Sequence, residues 1–287
     1  MSSFSFAVEI AGIPIAFEAP RPMAIPPELQ PFLTDCASAQ EVYEIRLLHE
    51  PMVFHSAPVY KATGLAVYAC GGTSYREFLH LRARDGSTAL CCLGSSGRHT
   101  LYIPEADWAR YERNCSLSAL LAPEALFLRH DGFLLHSSVI RAKGRGILFS
   151  GPSGVGKSTQ AELWQLHQGA EILNGDRCVI RKLGDRFYGY GSPYCGSSGI
   201  YRREQVPICA IVLPLHAPEN RLERLKPDAA LRRLYRECLV NLWDPAFMSK
   251  LLDLLQELVL RVPVYALSCR PDARATELLE QEIFGGK

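Results

Sequence analysis

Residues 146–168 read GILFSGPSGVGKSTQAELWQLHQ, and this stretch decides the fold of the chain around it. Its centre, residues 151–158, matches the phosphate-binding loop G-x-x-x-x-G-K-[ST]. The apolar run before the loop predicts a short buried strand. The residues from Thr159 to Leu166 predict a helix that Gly169 ends. A strand, a glycine-rich turn and a helix N-terminus in this order are typical of a site for phosphate groups.

The residues of this loop have predicted roles in nucleotide binding. Its glycines let consecutive backbone N–H groups turn toward the β- and γ-phosphates, where Lys157 adds a positive charge and the Ser158 hydroxyl is a ligand for Mg²⁺. ATP and Mg²⁺ are therefore the expected cofactors. The predicted nucleotide-binding residues are Gly151, Ser153, Gly154, Val155, Gly156, Lys157, Ser158 and Thr159.

The composition is that of an ordinary globular protein. The 287 residues are 48% hydrophobic and 21% charged, with a net charge of +1 and no block of like charges, so nucleic acid is not an expected partner. The N-terminus has no basic region, and the apolar helix Leu251–Leu260 is interrupted by acidic residues, so we predict a cytoplasmic protein without a membrane partner. The ten cysteines include no C-x-x-C pair, which favours reduced thiols over a zinc site. A homo-oligomer is compatible with this composition.

Two parts of the chain differ in their hydrophobic pattern. Alternating apolar and polar positions, as in Phe4–Ile10 and Ile13–Phe17, are typical of strands. Further along, strands and helices alternate around the phosphate loop, as in an α/β core. We therefore expect a β-rich domain over residues 1–125, to which we assign substrate recognition, and a P-loop α/β catalytic domain over residues 126–287.

Spacing also predicts individual elements beyond the loop. Asp244-Pro245 is typical of a helix start, with a helix through Leu260, and a terminal helix is expected from Asp272 to Phe284. Other helices are predicted at 106–113, 117–127 and 229–243, and other strands at 133–140, 208–215 and 262–267.

The acidic residue that completes a phosphate-transfer site is predicted to be Asp176, which lies 176 − 157 = 19 residues after the loop lysine. It either takes the proton from an acceptor hydroxyl or binds Mg²⁺ together with Ser158, and both roles are open at this point. A hairpin over residues 178–190 is expected to follow it.

Three segments together resemble a known family. Leu135–Ile140, the loop at 151–158 and Ala170–Arg177 are similar, in order and spacing, to the His-x-Ser strand, phosphate loop and A-D-D-R segment of the HPr kinase/phosphorylase catalytic domain. More distantly, they resemble the nucleotide core of phosphoenolpyruvate carboxykinases. The segment Tyr190–Ser197 resembles the G-x-P-[WYF]-x-G segment of kinase-like proteins that occur beside ribosomal-peptide clusters.

This resemblance implies a P-loop kinase fold, and it implies that His136 is an active-site histidine. The chain also departs from the family. Gly175 and Asp176 stand where the family has two acids, and the R-G-[LV]-G signature is absent, so neither phosphorolysis nor HPr as the substrate is implied.

A Gly/Ser-rich segment, Gly189–Arg203, contains Arg202 and Arg203. Its composition predicts a mobile flap that brings a guanidinium group to the γ-phosphate, with a plain surface loop as the alternative.

Together these features predict an ATP-dependent kinase that transfers the γ-phosphoryl group to a hydroxyl, that of serine in a peptide, a protein or a small-molecule acceptor such as a free amino acid. Two alternatives remain. One is a non-catalytic nucleotide-sensing module. The other is a carboxykinase-like enzyme acting on a small carboxylic acid, which needs metal-binding His and Lys residues from the N-terminal half, where only scattered histidines occur: His49, His55, His80 and His99.

Overall fold

The computed structural model describes residues 4–35, 38–113 and 116–285. The chain divides into two compact units, Met1–Pro123 and Glu124–Lys287, and combines large sheets with helices in a mixed α/β fold. No helix among the described residues is both long and apolar enough to cross a membrane. The role of substrate recognition for the first unit stays a prediction.

The first unit is built on a sheet that has nine strands within the described residues, in the order β3-β1-β2-β4-β9-β8-β7-β6-β5. The β2–β4 and β4–β9 pairs are parallel. The predicted hairpin at the start is present, and its turn residues Ala11 and Gly12 have φ of 53° and 71°, as a tight two-residue hairpin turn requires. The strands are β1 (Phe4–Ile10), β2 (Ile13–Ala19), β3 (Leu33–Thr34), β4 (Glu41–Leu48), β5 (Tyr60–Ala62), β6 (Leu65–Cys70), β7 (Thr73–Phe78), β8 (Ala89–Cys92) and β9 (Arg98–Pro104).

The helices that lie between β9 and the next strand in the sequence are shorter than the spacing predicted. The helix expected at 106–113 is reduced to α1 (Trp108–Tyr111), and the helix expected at 117–127 is split into α2 (Ser116–Ala119) and α3 (Pro123–Arg129). The split occurs because Ala122 has a φ of 50° and Pro123, without an N–H group, starts a new helix instead of continuing the old one.

The second unit contains the phosphate loop and alternates strands with helices, as predicted. Within the described residues its strand order is β11-β10-β13-β14-β15-β17-β16, with β12 on β10 and an additional parallel pairing of β11 with β15. The elements are β10 (Gly132–Ala142), β11 (Arg145–Ser150), α4 (Lys157–Gln168), β12 (Glu171–Asn174), β13 (Arg177–Leu183), β14 (Arg186–Tyr190), β15 (Gln205–His216), β16 (Arg221–Arg224), α5 (Pro227–Tyr235), α6 (Pro245–Arg261), β17 (Val264–Cys269) and α7 (Ala273–Phe284).

Two hydrophobic clusters hold the second unit together, one on each face of the strand β11. Leu148 packs in the cluster that includes Leu251 and Leu255 of α6. Its neighbours in the strand, Ile147 and Phe149, pack in the cluster of α4 and α7. Because successive side chains of a strand point to opposite faces, the strand that leads into the phosphate loop is fixed from both sides.

The caps of the last two helices confirm the boundaries that the sequence predicted. The carboxylate of Asp244 accepts a hydrogen bond from the backbone N–H of Phe247 at 3.0 Å, and that of Asp272 accepts one from Ala275 at 3.2 Å. These side chains satisfy donors that a helix N-terminus leaves unpaired.

The helix predicted at 229–243 is wrong in its second half, because α5 ends at Tyr235. The following residues run beside β10 instead: the N–H of His136 donates to the carbonyl of Glu237 at 2.9 Å, and that of Leu239 donates to Leu134 at 3.2 Å. Helical spacing is only a weak preference, and these tertiary hydrogen bonds override it.

Candidate functional site

The loop that follows β11 has the backbone shape of a phosphate-binding loop. Gly154 and Gly156 have φ of 79° and 101°, values that residues with a Cβ rarely adopt. The helix α4 begins directly after them, at Lys157. Its first N–H groups have no partner within the helix, and they form the positive end of the helix dipole. Backbone N–H groups and the helix dipole together favour the binding of an anion such as phosphate at such a helix N-terminus.

Exposure differs among the predicted nucleotide-binding residues. Gly151 and Lys157 are buried, Val155 and Gly156 are half-buried, and Ser153, Gly154, Ser158 and Thr159 are exposed.

Lys157 is the central cation of the loop. Its side chain is buried, and its ammonium group donates to the backbone carbonyls of Gly151 at 2.8 Å and Pro152 at 3.0 Å. Burial lowers the pKa of Lys157, while the negative charges of Glu237 and Asp176 act in the opposite direction. Both carboxylates therefore lie within electrostatic range of the lysine.

Three side chains, those of Asp176, His136 and Glu237, form a connected chain. Nε2 of His136 is 3.3 Å from Oδ1 of Asp176, and Nδ1 of the same ring is 3.2 Å from Oε2 of Glu237. All three are at most one-third exposed, at 28%, 32% and 12% for His136, Asp176 and Glu237. The imidazole therefore bridges two carboxylates.

The surroundings of Asp176 keep it ionised. The hydrogen bond to His136 lowers the pKa of Asp176 most, and the charges of His136, Arg177 and Lys157 lower it further against the effect of burial. An ionised carboxylate is a hydrogen-bond acceptor and a ligand for hard cations at neutral pH.

Strand pairing brings these groups together. His136 on β10 lies opposite Arg177 on β13, and the N–H of Ser137 donates to the carbonyl of Asp176 at 2.8 Å. The hydroxyl of Ser150, the last residue of β11 before the loop, donates to the carbonyl of His136 at 2.9 Å. Residues far apart in sequence thus meet at one end of the same strands.

Asn174 fixes the turn that carries Asp176, and the sequence analysis missed it. Its side chain is fully buried, and its Oδ1 accepts from the backbone N–H groups of Asp176 at 3.0 Å and Arg177 at 2.9 Å. Its amide group donates to the carbonyl of Ser192 at 3.0 Å. An Asn directly before Gly favours a turn, so the pair Asn174-Gly175 was the sequence signal for this role of Asn174 in the turn.

Gly175 occupies a position with no space for a side chain. A Cβ there would overlap Oγ and Cβ of Ser198. Ser198 belongs to a 3₁₀ turn, Gly196–Ser198, whose first residue lies against Asp176: a Cβ on Gly196 would be 2.7 Å from the carboxyl carbon. The turn packs over the segment 175–176, so a second carboxylate at position 175 requires the turn to move.

The segment predicted as a mobile flap, Gly189–Arg203, is anchored at both ends. It begins in β14, and its Ser192 is fully buried. At the other end, the N–H of Arg202 donates to the carbonyl of Leu173 at 3.1 Å. The side chains of Arg202 and Arg203 are exposed, and their role at the γ-phosphate stays a prediction.

Glu237 is the second residue of the site that the sequence analysis missed. It is separated from His136 by 101 positions, and it lies in the stretch predicted as a continuing helix. No signal in the sequence identified it, since only its pairing with β10 brings it to the imidazole.

The described residues contain no group of three or more His, Cys, Asp or Glu side chains arranged for a metal ion. The predicted Mg²⁺ ligands Ser158 and Asp176 have the oxygen chemistry that this ion prefers. All cysteines within the described ranges are free thiols, and burial raises the pKa of Cys178 to about 12.

Comparison with known proteins adds little to this geometry. No family model and no curated protein matches the chain. Among solved structures, the Hpr(Ser) kinase/phosphatase from Coxiella burnetii is similar, with 12% identity and a TM-score of 0.30 over 52% of this chain and 86% of that chain. A TM-score of this size is too low to support a statement about the site or the activity.

Proposed function

We propose that this protein is an ATP-dependent phosphotransferase, which moves the γ-phosphoryl group of ATP to the hydroxyl of a serine-bearing peptide, protein or small molecule. The observation that carries the proposal is the link between the loop and an ionised aspartate: Ser150, the residue before the loop, donates to the carbonyl of His136 at 2.9 Å, and Nε2 of His136 is 3.3 Å from Asp176. Phosphoryl transfer needs mainly these parts, because positioning and charge stabilisation do most of the work.

The loop and its lysine would hold the nucleotide. The start of α4 faces the phosphates, and the ammonium group of Lys157 exchanges the carbonyls of Gly151 and Pro152 for phosphate oxygens. Ser158 would hold Mg²⁺, and the ion would neutralise negative charge on the phosphates. ATP supplies the phosphoryl group and ADP as the leaving group.

Asp176 would take the proton of the acceptor hydroxyl while the hydroxyl oxygen bonds to the γ-phosphorus. His136 holds the carboxylate at 3.3 Å through Nε2. Glu237, on the other ring nitrogen, fixes the orientation of the imidazole, so it is a positioning residue.

The two alternatives are less well supported by the site. A nucleotide-sensing module has no need of the chain Glu237–His136–Asp176 beside the loop. A carboxykinase-like enzyme needs converging metal ligands from the first unit. There, however, His99 is buried against Glu41 at 2.6 Å, His49 pairs with Glu105 at 2.7 Å, and His80 is 3.0 Å from the carbonyl of Gly64.

The test is transfer by the full chain and its Asp176→Asn variant, with Mg·ATP, serine-bearing peptides and L-serine, and phosphoserine measured by mass spectrometry. We expect the variant to bind ATP but to turn over roughly 10²–10⁴-fold more slowly, the usual contribution of a positioned acid or base. Asp185→Asn is the matched control, because this aspartate is 92% exposed in the β13–β14 turn. ATP binding by the parent without transfer to any acceptor contradicts the proposal and favours a sensing module.

A further inference from the structure

A separate pocket of about 190 Å³ opens beside the imidazole of His136. It lies where β10, the start of β13 and the residues after α5 meet, and its polar side chains include two arginines and one glutamate. It is lined by Leu134, Leu135, His136, Arg177, Arg236, Glu237, Cys238 and Leu239.

Two of the side chains in the pocket wall also touch Asp176. Nε2 of His136 is 3.3 Å from one oxygen of this carboxylate, and Nε of Arg177 is 3.7 Å from the other. A molecule in the pocket is therefore separated from Asp176 by the width of one side chain. A hydroxyl group of the same molecule therefore has to extend beyond the pocket by that width to reach the base.

The charges of the pocket indicate what it binds. Arg177 and Arg236 contribute two guanidinium groups to the pocket wall, whereas the carboxylate of Glu237 lies 3.2 Å from Nδ1 of His136. Arg236 is exposed, and Arg177 is 45% exposed and makes only a long contact with Asp176, so both retain hydrogen-bond donors for a ligand. Two guanidinium groups with available donors suit a carboxylate, which accepts paired hydrogen bonds from such groups.

We infer that this pocket binds a carboxylate group of the phosphoryl acceptor, which thereby has a hydroxyl and a carboxylate a few atoms apart. The inference rests on the proposed function, because it specifies the acceptor of that site. Guanidinium groups bind carboxylates through two parallel hydrogen bonds, which gives orientation as well as affinity. The carboxylate belongs either to a free hydroxy-amino acid or to an acidic residue beside a serine in a peptide, and the volume admits either.

The experiment measures binding apart from transfer. The full chain, saturated with Mg²⁺ and the β,γ-imido analogue of ATP, is titrated calorimetrically with four probes: L-serine, L-serine amide, N-acetyl-Ser-Asp-amide and N-acetyl-Ser-Asn-amide. We expect at least one carboxylate probe to bind about tenfold or more tightly than the amide probe that matches it, since a hydrogen bond to a charged group has this effect. Which pair shows the difference identifies the source of the carboxylate.

Arg236→Gln should remove this preference, with about a tenfold loss for the carboxylate probe and no change for the amide. Arg233→Gln is the matched control, because this exposed arginine of α5 lies outside the pocket and its replacement should leave the preference intact. Three results overturn the inference. They are equal affinity for the carboxylate and amide probes, no binding of any probe, and an unchanged preference in Arg236→Gln. Binding that depends on Arg236 without formation of phosphoserine supports the pocket and contradicts the kinase proposal.

Discussion

Replacing Gly175 by alanine tests how tightly the 3₁₀ turn Gly196–Ser198 is packed on the segment that carries Asp176. Gly175 is buried, and its φ lies outside the left-handed region, so the backbone itself accepts alanine. The obstacle is packing. The new Cβ would lie 2.5 Å from Cβ of Ser198 and even closer to its Oγ.

The magnitude follows from these contacts. Non-bonded carbon atoms rest at about 3.5–4.0 Å, so the turn has to retreat by about 1 Å. Ser198 does not move freely, because its Oγ donates to the carbonyl of Cys195 at 2.7 Å and accepts from the N–H of Ile200 at 3.2 Å. Overpacking of this kind costs about 1–3 kcal/mol. Alanine regains about 0.4–1 kcal/mol by restricting the unfolded chain, which leaves a net destabilisation of about 1–2 kcal/mol.

The assay is a double-mutant cycle with Ser198→Gly, which removes both overlapping atoms. The free energy of unfolding is measured with urea, and hydrogen exchange of the β12 and β13 amides is measured in addition. Gly175→Ala should lower this free energy by about 1–2 kcal/mol in the parent background and by less than half of that in the Ser198→Gly background. The reasoning is refuted if Gly175→Ala is as stable as the parent, or if the loss is the same in both backgrounds.

Three further predictions concern the site. Lys157→Ala should fold but lose most of the thermal stabilisation by Mg·ATP, because it removes the buried cation of the loop; stabilisation equal to that of the parent would contradict the assignment of the loop. Replacing Arg202 and Arg203 together by alanine should lower kcat more than ATP affinity if a guanidinium acts on the γ-phosphate in the transition state. An unchanged kcat in steady-state kinetics would mean that the segment Gly189–Arg203 is an ordinary surface loop. His136→Ala should raise the pKa of Asp176, because the hydrogen bond from His136 is the main cause of its lowering from 3.8. A carboxyl group whose pKa is lowered by folding stabilises the protein at a pH above 3.8, and this stabilisation is lost as the pH falls below 3.8. Acid unfolding curves of His136→Ala should therefore show a smaller loss of stability below pH 3.8 than those of the parent. Identical curves would contradict this expectation.

Local sequence determined the elements that depend on neighbouring residues. The glycine turn and the helix α4 follow from residues 146–168 alone, because their hydrogen bonds and backbone angles involve positions close in sequence. The same holds for the caps at Asp244 and Asp272 and for the hairpin turn at Ala11-Gly12. The apolar run before the glycine turn also predicts the strand β11, although its partners β10 and β15 lie outside this stretch. The sequence also singled out His136 and Asp176, but it did not show that they touch.

Tertiary structure decided the rest of the site. Helical spacing continued past Tyr235, yet the chain leaves the helix there to bond with β10, and this places Glu237 on the imidazole of His136. In the same way, the packing of Ser198 on Gly175 excludes a second acid from that position. Local patterns report the period of a helix or strand, whereas these contacts join residues 101 and 23 positions apart. Their free energy exists only once the strands have assembled, so no local stretch of sequence encodes it.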